Sequence, residues 1–156
     1  MAEHAHETSG GLNLSGAEGN IPKPSGHLQC IVVTPEATVL DQVADFVALP
    51  LYDGEIGIAP GHSPMIGRLG YGEMRVRRGG QQTRYYLDGG FVQVADNVVS
   101  VLTNRAVPAA QLDPEVAREH LATARARPAT SEETLVQREK LETQARAQLR
   151  VAARAR

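Results

Sequence analysis

The side chains that could do chemistry in this sequence are few, and their spacing argues against catalysis. His62 beside Ser63 offers a base and a nucleophile, but adjacent residues on a turn rarely face each other, and no Gly-x-Ser-x-Gly elbow exposes a serine. His4 and His6 could hold a metal, yet two solvated histidines in a glycine- and serine-rich tail are more often only that, and no metal site is expected. Cys30 is the single cysteine, which rules out an internal disulfide and a cysteine zinc cluster. Flanked by Leu28, Ile31 and Val32, it reads as a small buried hydrophobe. Lys23 and Lys140 are the only lysines, and neither follows a glycine loop that could cradle a phosphate. Without a convergent acid, base and nucleophile, the residues that matter must act by contact.

The composition fits that reading. With 42% hydrophobic and 22% charged residues the chain has the balance of a globular protein. Aromatic bulk is limited to Phe46, Phe91 and four tyrosines, so the core must be aliphatic. A net charge of −2 argues against nucleic-acid binding, which needs a basic face. No run approaches the roughly 20 apolar residues that cross a bilayer, so any membrane association is expected through a partner.

Three segments position the contact residues. Residues 1–26 contain Gly10-Gly11, Gly16, Gly19 and Gly26 and almost no large apolar side chains. They are expected to be disordered, and they lack the marks of a signal or transit peptide. Residues 27–110 show short apolar runs broken by Gly, Pro, Asp and Asn, the pattern of a β-sandwich or barrel. The strands expected are Leu28 to Thr34, Thr38 to Leu40, Phe46 to Leu51, Gly54 to Ile58, Gly72 to Arg77, Thr83 to Leu87, Phe91 to Ala95 and Val98 to Thr103. Asp53-Gly54, Gly79-Gly80, Asp88-Gly89-Gly90 and Asp96-Asn97 supply turns that tolerate positive φ. Residues 111–156 lack glycine and switch to helical period. Asp113 with Pro114 and Glu115 starts a helix that runs to about Arg127, and Thr130 with Glu133 forms a capping box for a second. The second helix carries Leu141, Ala145, Leu149 and Ala152 as a narrow apolar stripe, suited to an antiparallel hairpin that docks lightly. The class is α+β: a sandwich followed by a two-helix hairpin.

The run from Leu49 to Pro64, Leu-Pro-Leu-Tyr-Asp-Gly-Glu-Ile-Gly-Ile-Ala-Pro-Gly-His-Ser-Pro, resembles the signature of the epsilon subunit of F-type ATP synthase. There a Gly-Glu-x-Gly turn leads into a Pro-Gly-His-x-Pro turn. The resemblance continues through Leu87-Asp88-Gly89-Gly90-Phe91-Val92-Gln93-Val94, Val101-Leu102-Thr103 and Ala147-Gln148-Leu149-Arg150-Val151, and so covers about residues 28 to 151.

The resemblance implies an antiparallel sandwich of about ten strands wedged against the gamma shaft and the c ring. It also implies a mobile hairpin that blocks ATP hydrolysis when it extends toward the catalytic alpha/beta hexamer. The subunit would sit peripherally on the cytoplasmic face of a bacterial plasma membrane and would not be an enzyme on its own. Tyr52, Asp53, Gly54 and Glu55 would meet the c ring, and Pro60, Gly61 and His62 would form the turn facing gamma and the ring. The stretch from Tyr52 to Tyr71 is dense in Gly and Pro and should present rigid turns at one end of the sandwich.

Two features of the hairpin bear on regulation. Arg146, Arg150 and Arg154 recur every four residues as a basic stripe, with no acid after Thr143 to balance them. It suits docking on the acidic surface of the hexamer in the inhibited state that the family implies. Some members bind regulatory ATP on the hairpin through an Ile/Leu-Asp-x-x-Arg-Ala motif and a second arginine. Here Leu112 and Asp113 match, but Val116 stands where the first arginine belongs and Arg118 is displaced by two, about 200° around a helix. That departure argues against ATP and leaves Asp113, Arg118 and Arg125 as the candidates; no other cofactor is expected. A free peptide- or sugar-binding module would need an aromatic groove that this composition scarcely supplies.

Overall fold

The computed structural model describes residues 26–155; the expectations for residues 1–25, including His4 and His6, lie outside the described residues. Eight strands come first: β1 Leu28–Val33, β2 Thr38–Ala44, β3 Phe46–Leu51, β4 Gly54–Ile58, β5 Met65–Arg78, β6 Gln81–Ala95, β7 Val98–Leu102 and β8 Ala106–Pro108. A 3-10 turn at Ala109–Gln111 leads to two helices, α1 Pro114–Ala126 and α2 Glu132–Arg154.

The two long strands build the sandwich. The first half of β5 pairs with the second half of β6, and the second half of β5 with the first half of β6. One layer runs β2, β1, β7, late β6, early β5; the other runs β4, β3, late β5, early β6, β8. Because β5 and β6 serve both layers, the eight strands fill the ten places expected. Leu28, Cys30, Val32, Val92, Val94, Val99 and Val101 from the first layer meet Val47, Leu49, Ile58, Met74, Val76 and Leu87 from the second in one aliphatic core. Strict alternation puts these residues inward, as in β1, where every second side chain is buried.

Glycine makes the fold-over possible. Gly89 and Gly90 have φ of +70° and +108°, and a Cβ on Gly90 would stand 1.9 Å from the Leu102 carbonyl oxygen. Asp88-Gly89-Gly90 therefore has the positive φ expected of it, but it bends a continuous strand instead of ending one. Likewise Met65 to Tyr71 is strand, where rigid turns were expected. Gly79-Gly80 and Asp96-Asn97 are turns, with all four residues at positive φ. One pair, β1 with β7, is parallel, so the sheet is mixed. These strands are distant in sequence, and no hairpin turn dictates their direction.

The helices start where side chains satisfy free backbone amides. Asp113 Oδ1 accepts from Glu115 N at 2.9 Å, and Pro114 occupies the first turn. For α2 the cap is one residue later than expected. Ser131 Oγ accepts from Thr134 N, and Thr134 Oγ1 accepts from Ser131 N at 2.9 Å. Serine is the better cap, and the shift sets Glu132 and Glu133 in the first turn, against the positive end of the helix dipole. α1 rests on α2, and α2 lies along β5 and β6 on the outside of the second layer.

Candidate functional site

Four surfaces could meet a partner. The first is the β3–β4 turn, where Tyr52, Asp53, Gly54 and Glu55 are all exposed. It is buttressed from β5: the Arg68 guanidinium lies 4.3 Å from the Tyr52 ring centre, and the Tyr52 amide donates to the Arg68 carbonyl at 2.9 Å. Glu55 Oε1 accepts from Arg75 Nη2 at 2.5 Å. Tyr52 nevertheless keeps 70% of its surface in solvent.

The second is the Pro60-Gly61-His62 turn. The Gly61 amide donates to Asn97 Oδ1 at 2.7 Å, which ties this turn to the β6–β7 hairpin. His62 Nδ1 lies 2.8 Å from the Ser63 carbonyl oxygen, a contact that holds the ring on the backbone and away from the serine hydroxyl. The two turns lie at opposite ends of β4, whereas the Gly- and Pro-dense stretch from Tyr52 to Tyr71 was expected to present its turns at one end of the sandwich. Leu51 pairs with Gly54 at one end of β4 and Val47 with Ile58 at the other, so a whole strand separates them.

The third surface was missed from the sequence. On the outside of the first layer, Ile66, Phe91 and Leu102 are 77%, 58% and 55% exposed. Phe91 stands opposite Leu102 on one side and Arg68 on the other, so the strip crosses three strands. A shallow groove of about 670 Å³ lined by Val33, Tyr52, Arg68, Phe91, Leu102 and Asn104 joins it to the β3–β4 turn. The signal was in the alternation: with Val92, Val99 and Val101 inward, Phe91 and Leu102 must point outward. A strand apolar on both faces is a strand covered on both faces.

The fourth is the hairpin and its seat. Ala147 and Val151 pack against Tyr86, with Ala109, Tyr71 and Leu112 around them. Tyr86 Oη donates to Asp88 Oδ1 at 3.0 Å, and Gln144 Nε2 donates to the same oxygen at 2.7 Å. Burial, aided by the Asp88 charge, pushes that phenol's pKa well up, so it stays a donor. Glu73 faces outward beside Tyr86 in the register and is buried; neither of its oxygens accepts a hydrogen bond from the described residues. Arg84 and Arg75 stand 3.6 and 3.8 Å away.

The expected α2 stripe of Leu141, Ala145, Leu149 and Ala152 is half the picture. The fully buried positions are Ala145, Ala147, Val151 and Ala152, because the helix packs on α1 and on the sheet at once. The basic stripe is also altered. Arg146, Arg150 and Arg154 are exposed, but Arg146 is paired with Glu142 at 3.0 Å, one turn earlier, and Glu142 also takes Arg138 at 3.0 Å. The balancing acid lies before Thr143, one helical turn upstream of Arg146. Arg150 and Arg154 make no ion pair among the described residues.

A cleft of about 320 Å³ between the helices and the sandwich bend is lined by Asp88, Arg105, His120, Arg127, Gln144 and Gln148, among others. The residues weighed for ATP do not line it. Asp113 is used as a helix cap, Arg118 pairs with Glu115, and Arg125 is exposed on α1. Among the described residues no group of three metal-ligating side chains forms, and no helix is long and apolar enough to cross a membrane.

Comparison with known proteins agrees with the motif reading. Residues 27–109 match the family model of the ATP synthase delta/epsilon chain β-sandwich domain. The ATP synthase epsilon chain of Rhodopirellula baltica is 50% identical over 123 residues, 79% of this chain and 96% of that one. That of Rubrobacter xylanophilus is 38% identical over 94 residues, 60% of this chain and 64% of that one. Among solved structures, a chain of the Euglena gracilis mitochondrial ATP synthase, OSCP/F1/c-ring assembly, superposes with a TM-score of 0.73 at 26% identity, covering 88% of this chain and 84% of its own. A chain of the central stalk and c-ring of the Tetrahymena thermophila mitochondrial enzyme shares the fold at 12% identity and a TM-score of 0.62, covering 80% and 96%. The match of residues 27–109 to that domain model and 50% identity over 79% of the chain, on a bent-strand sandwich with the Tyr52-Asp53 and Pro60-Gly61-His62 turns at the two ends of β4, place this chain in the ATP synthase epsilon chain family.

Proposed function

We propose that the chain is a non-catalytic rotor subunit in which the sandwich joins the gamma shaft to the c ring and the hairpin restrains ATP hydrolysis. The observation that carries the coupling role is the exposed Ile66, Phe91 and Leu102 strip running into the Tyr52 turn. Such a strip is an interaction surface by its chemistry, and contact with a helical shaft would cover it. Gamma is the partner for the strip and the Pro60-Gly61-His62 turn, and the polar loops of subunit c are the partners for Asp53, Gly54 and Glu55. The assembly would hold the chain peripherally at the cytoplasmic face of a bacterial membrane.

The hairpin reading rests on its attachment. α1 reaches the sandwich mainly through α2, and α2 seats itself with alanines and one valine. Arg150 and Arg154 face solvent in this docked state, free to meet the acidic surface of the catalytic hexamer once the hairpin extends. ATP has no part in the proposal, since Asp113 caps α1, Arg118 pairs with Glu115, and Arg125 lies exposed without sharing a cleft with either.

Capture of purified gamma by the chain tests the coupling role, and a disulfide between cysteines placed at Glu55 and in the polar loop of subunit c tests its orientation. Crosslinking to the outside of a catalytic subunit instead would overturn it. Ending the chain at Gln111 should leave a sandwich that binds gamma while hydrolysis by the assembled enzyme rises. Equilibrium dialysis against ATP should show no saturable binding.

A further inference from the structure

We propose that Asp88 and Tyr86 on the sandwich, with Gln144 on α2, form a polar catch that holds the hairpin docked. This deepens the proposed function and rests on the reading that the hairpin leaves the sandwich. The three groups make one relay. The Tyr86 hydroxyl donates to Asp88 Oδ1, and Gln144 Nε2 donates to the same oxygen.

The spacing fits because helix and strand are commensurate here. Four residues of helix rise about 6 Å, and two residues of strand about 6.6 Å. Gln144 and Gln148 are one turn apart on α2; Asp88 and Tyr86 are two apart on β6 and share a face. α2 therefore runs antiparallel to early β6, and its next turn places Val151 in the same file.

Asp88 is also anchored where the bend is made. Its amide donates to the Arg105 carbonyl at 3.0 Å, and its own carbonyl accepts from Asn104 Nδ2 at 3.3 Å. The catch is thus mounted on the segment that folds one layer over the other, and its sandwich half stays in place when the helix lifts.

Hydrogen–deuterium exchange on the full chain at neutral pH tests this, reading α2 amides from 144 to 154 against β1 and β7 amides as the measure of sandwich integrity. Gln144→Glu sets a carboxylate against Asp88 and should speed α2 exchange at least about tenfold, the worth of a hydrogen bond to a charged group. Adding Asp88→Asn reverses the relay. The new amide at 88 donates to the carboxylate at 144 and to the Tyr86 hydroxyl oxygen. Protection should return to within about threefold of the natural chain by the same measure. If wild-type α2 opens ahead of the sandwich but Gln144→Glu leaves it unchanged, or the double variant opens as fast as the single, the catch is wrong and the mobile hairpin stands. If α2 and sandwich amides exchange together in every variant, the mobile hairpin is wrong and the catch falls with it.

Discussion

Replacing Phe91 with alanine tests whether the apolar strip is the gamma-binding face. Phe91 is 58% exposed, which on about 200 Å² for an aromatic side chain leaves about 115 Å² for a partner to cover. At about 25 cal/mol per Å², covering it contributes about 3 kcal/mol, of which alanine retains a fraction. The loss is then about 2–3 kcal/mol, or about a 30- to 150-fold rise in Kd. Calorimetric titration of gamma with each form measures it directly. The isolated chain should unfold within about 0.5 kcal/mol of the natural one, because an exposed side chain contributes little to its fold. If the variant binds gamma as tightly as the natural chain, the strip is not the interface, whatever else covers it. A drop in binding together with a drop in stability would also defeat the reasoning, since the effect would then lie in the fold.

Other expectations follow from single contacts. Gly90→Ala should abolish the folded state as judged by thermal melting, because the Cβ would meet the Leu102 carbonyl oxygen at 1.9 Å with φ at +108°. Glu73→Leu should raise stability to urea by about 1–2 kcal/mol, since it removes a buried carboxylate that accepts no hydrogen bond while Arg75 keeps Glu55; lower stability would show that the two arginines more than offset its desolvation. The Asp45 carboxyl is held below its ordinary range first by the hydrogen bond from the Gly79 amide and then by His27. Its contribution is therefore present above about pH 3.9 and lost as pH falls below that. The gap in melting temperature between the natural chain and Asp45→Asn should close on acidification. In assembled enzyme, Arg150→Glu with Arg154→Glu should raise ATP hydrolysis at low salt, and added salt should relieve the natural enzyme more than the variant.

Much of the architecture was legible because local rules acted alone. Leu28, Cys30 and Val32 alternate with polar or less buried neighbours, and β1 falls within a residue of its expected span. Asp113-Pro114-Glu115 starts α1 as its cap chemistry requires. Illegible features were those in which one local signal serves two structures. Asp88-Gly89-Gly90 demands positive φ, and that demand is met equally by a hairpin turn or by a strand folding over; only the pairing of β5 along both halves of β6 decides. Gly67, Gly70 and Gly72 made early β5 look like loop, although Gly70 is needed because a Cβ there would lie 2.7 Å from the Leu51 carbonyl oxygen. Asp53 and His62 are separated by the strand expected from Gly54 to Ile58, which carries them to opposite ends although the Gly and Pro density of Tyr52 to Tyr71 suggested one. The motif read as a Gly-Glu-x-Gly turn is β4 itself, with the turn at Tyr52-Asp53, while the strip at Ile66, Phe91 and Leu102 was hidden because the same outward face also carries Gln93 and Ser100.

The chain packs its two parts with different materials, and that difference fits the proposed division of labour. The sandwich core is made of valine, leucine, isoleucine and methionine at essentially no exposure, whose removal from water stabilises by about 1.5–3 kcal/mol per side chain. On the seat of the hairpin α2 contributes Ala147 and Val151, and alanine buries one methyl group. Packing of that kind brings a helix close without holding it hard. In the proposed mechanism the margin between docked and released states would be set by few groups, with the Asp88 relay favouring the seat. An equilibrium poised by a few kcal/mol is one that a partner binding only the released form can shift. A leucine-rich seat would raise the free energy a partner must supply to lift the hairpin, and a seat without the relay would lower it.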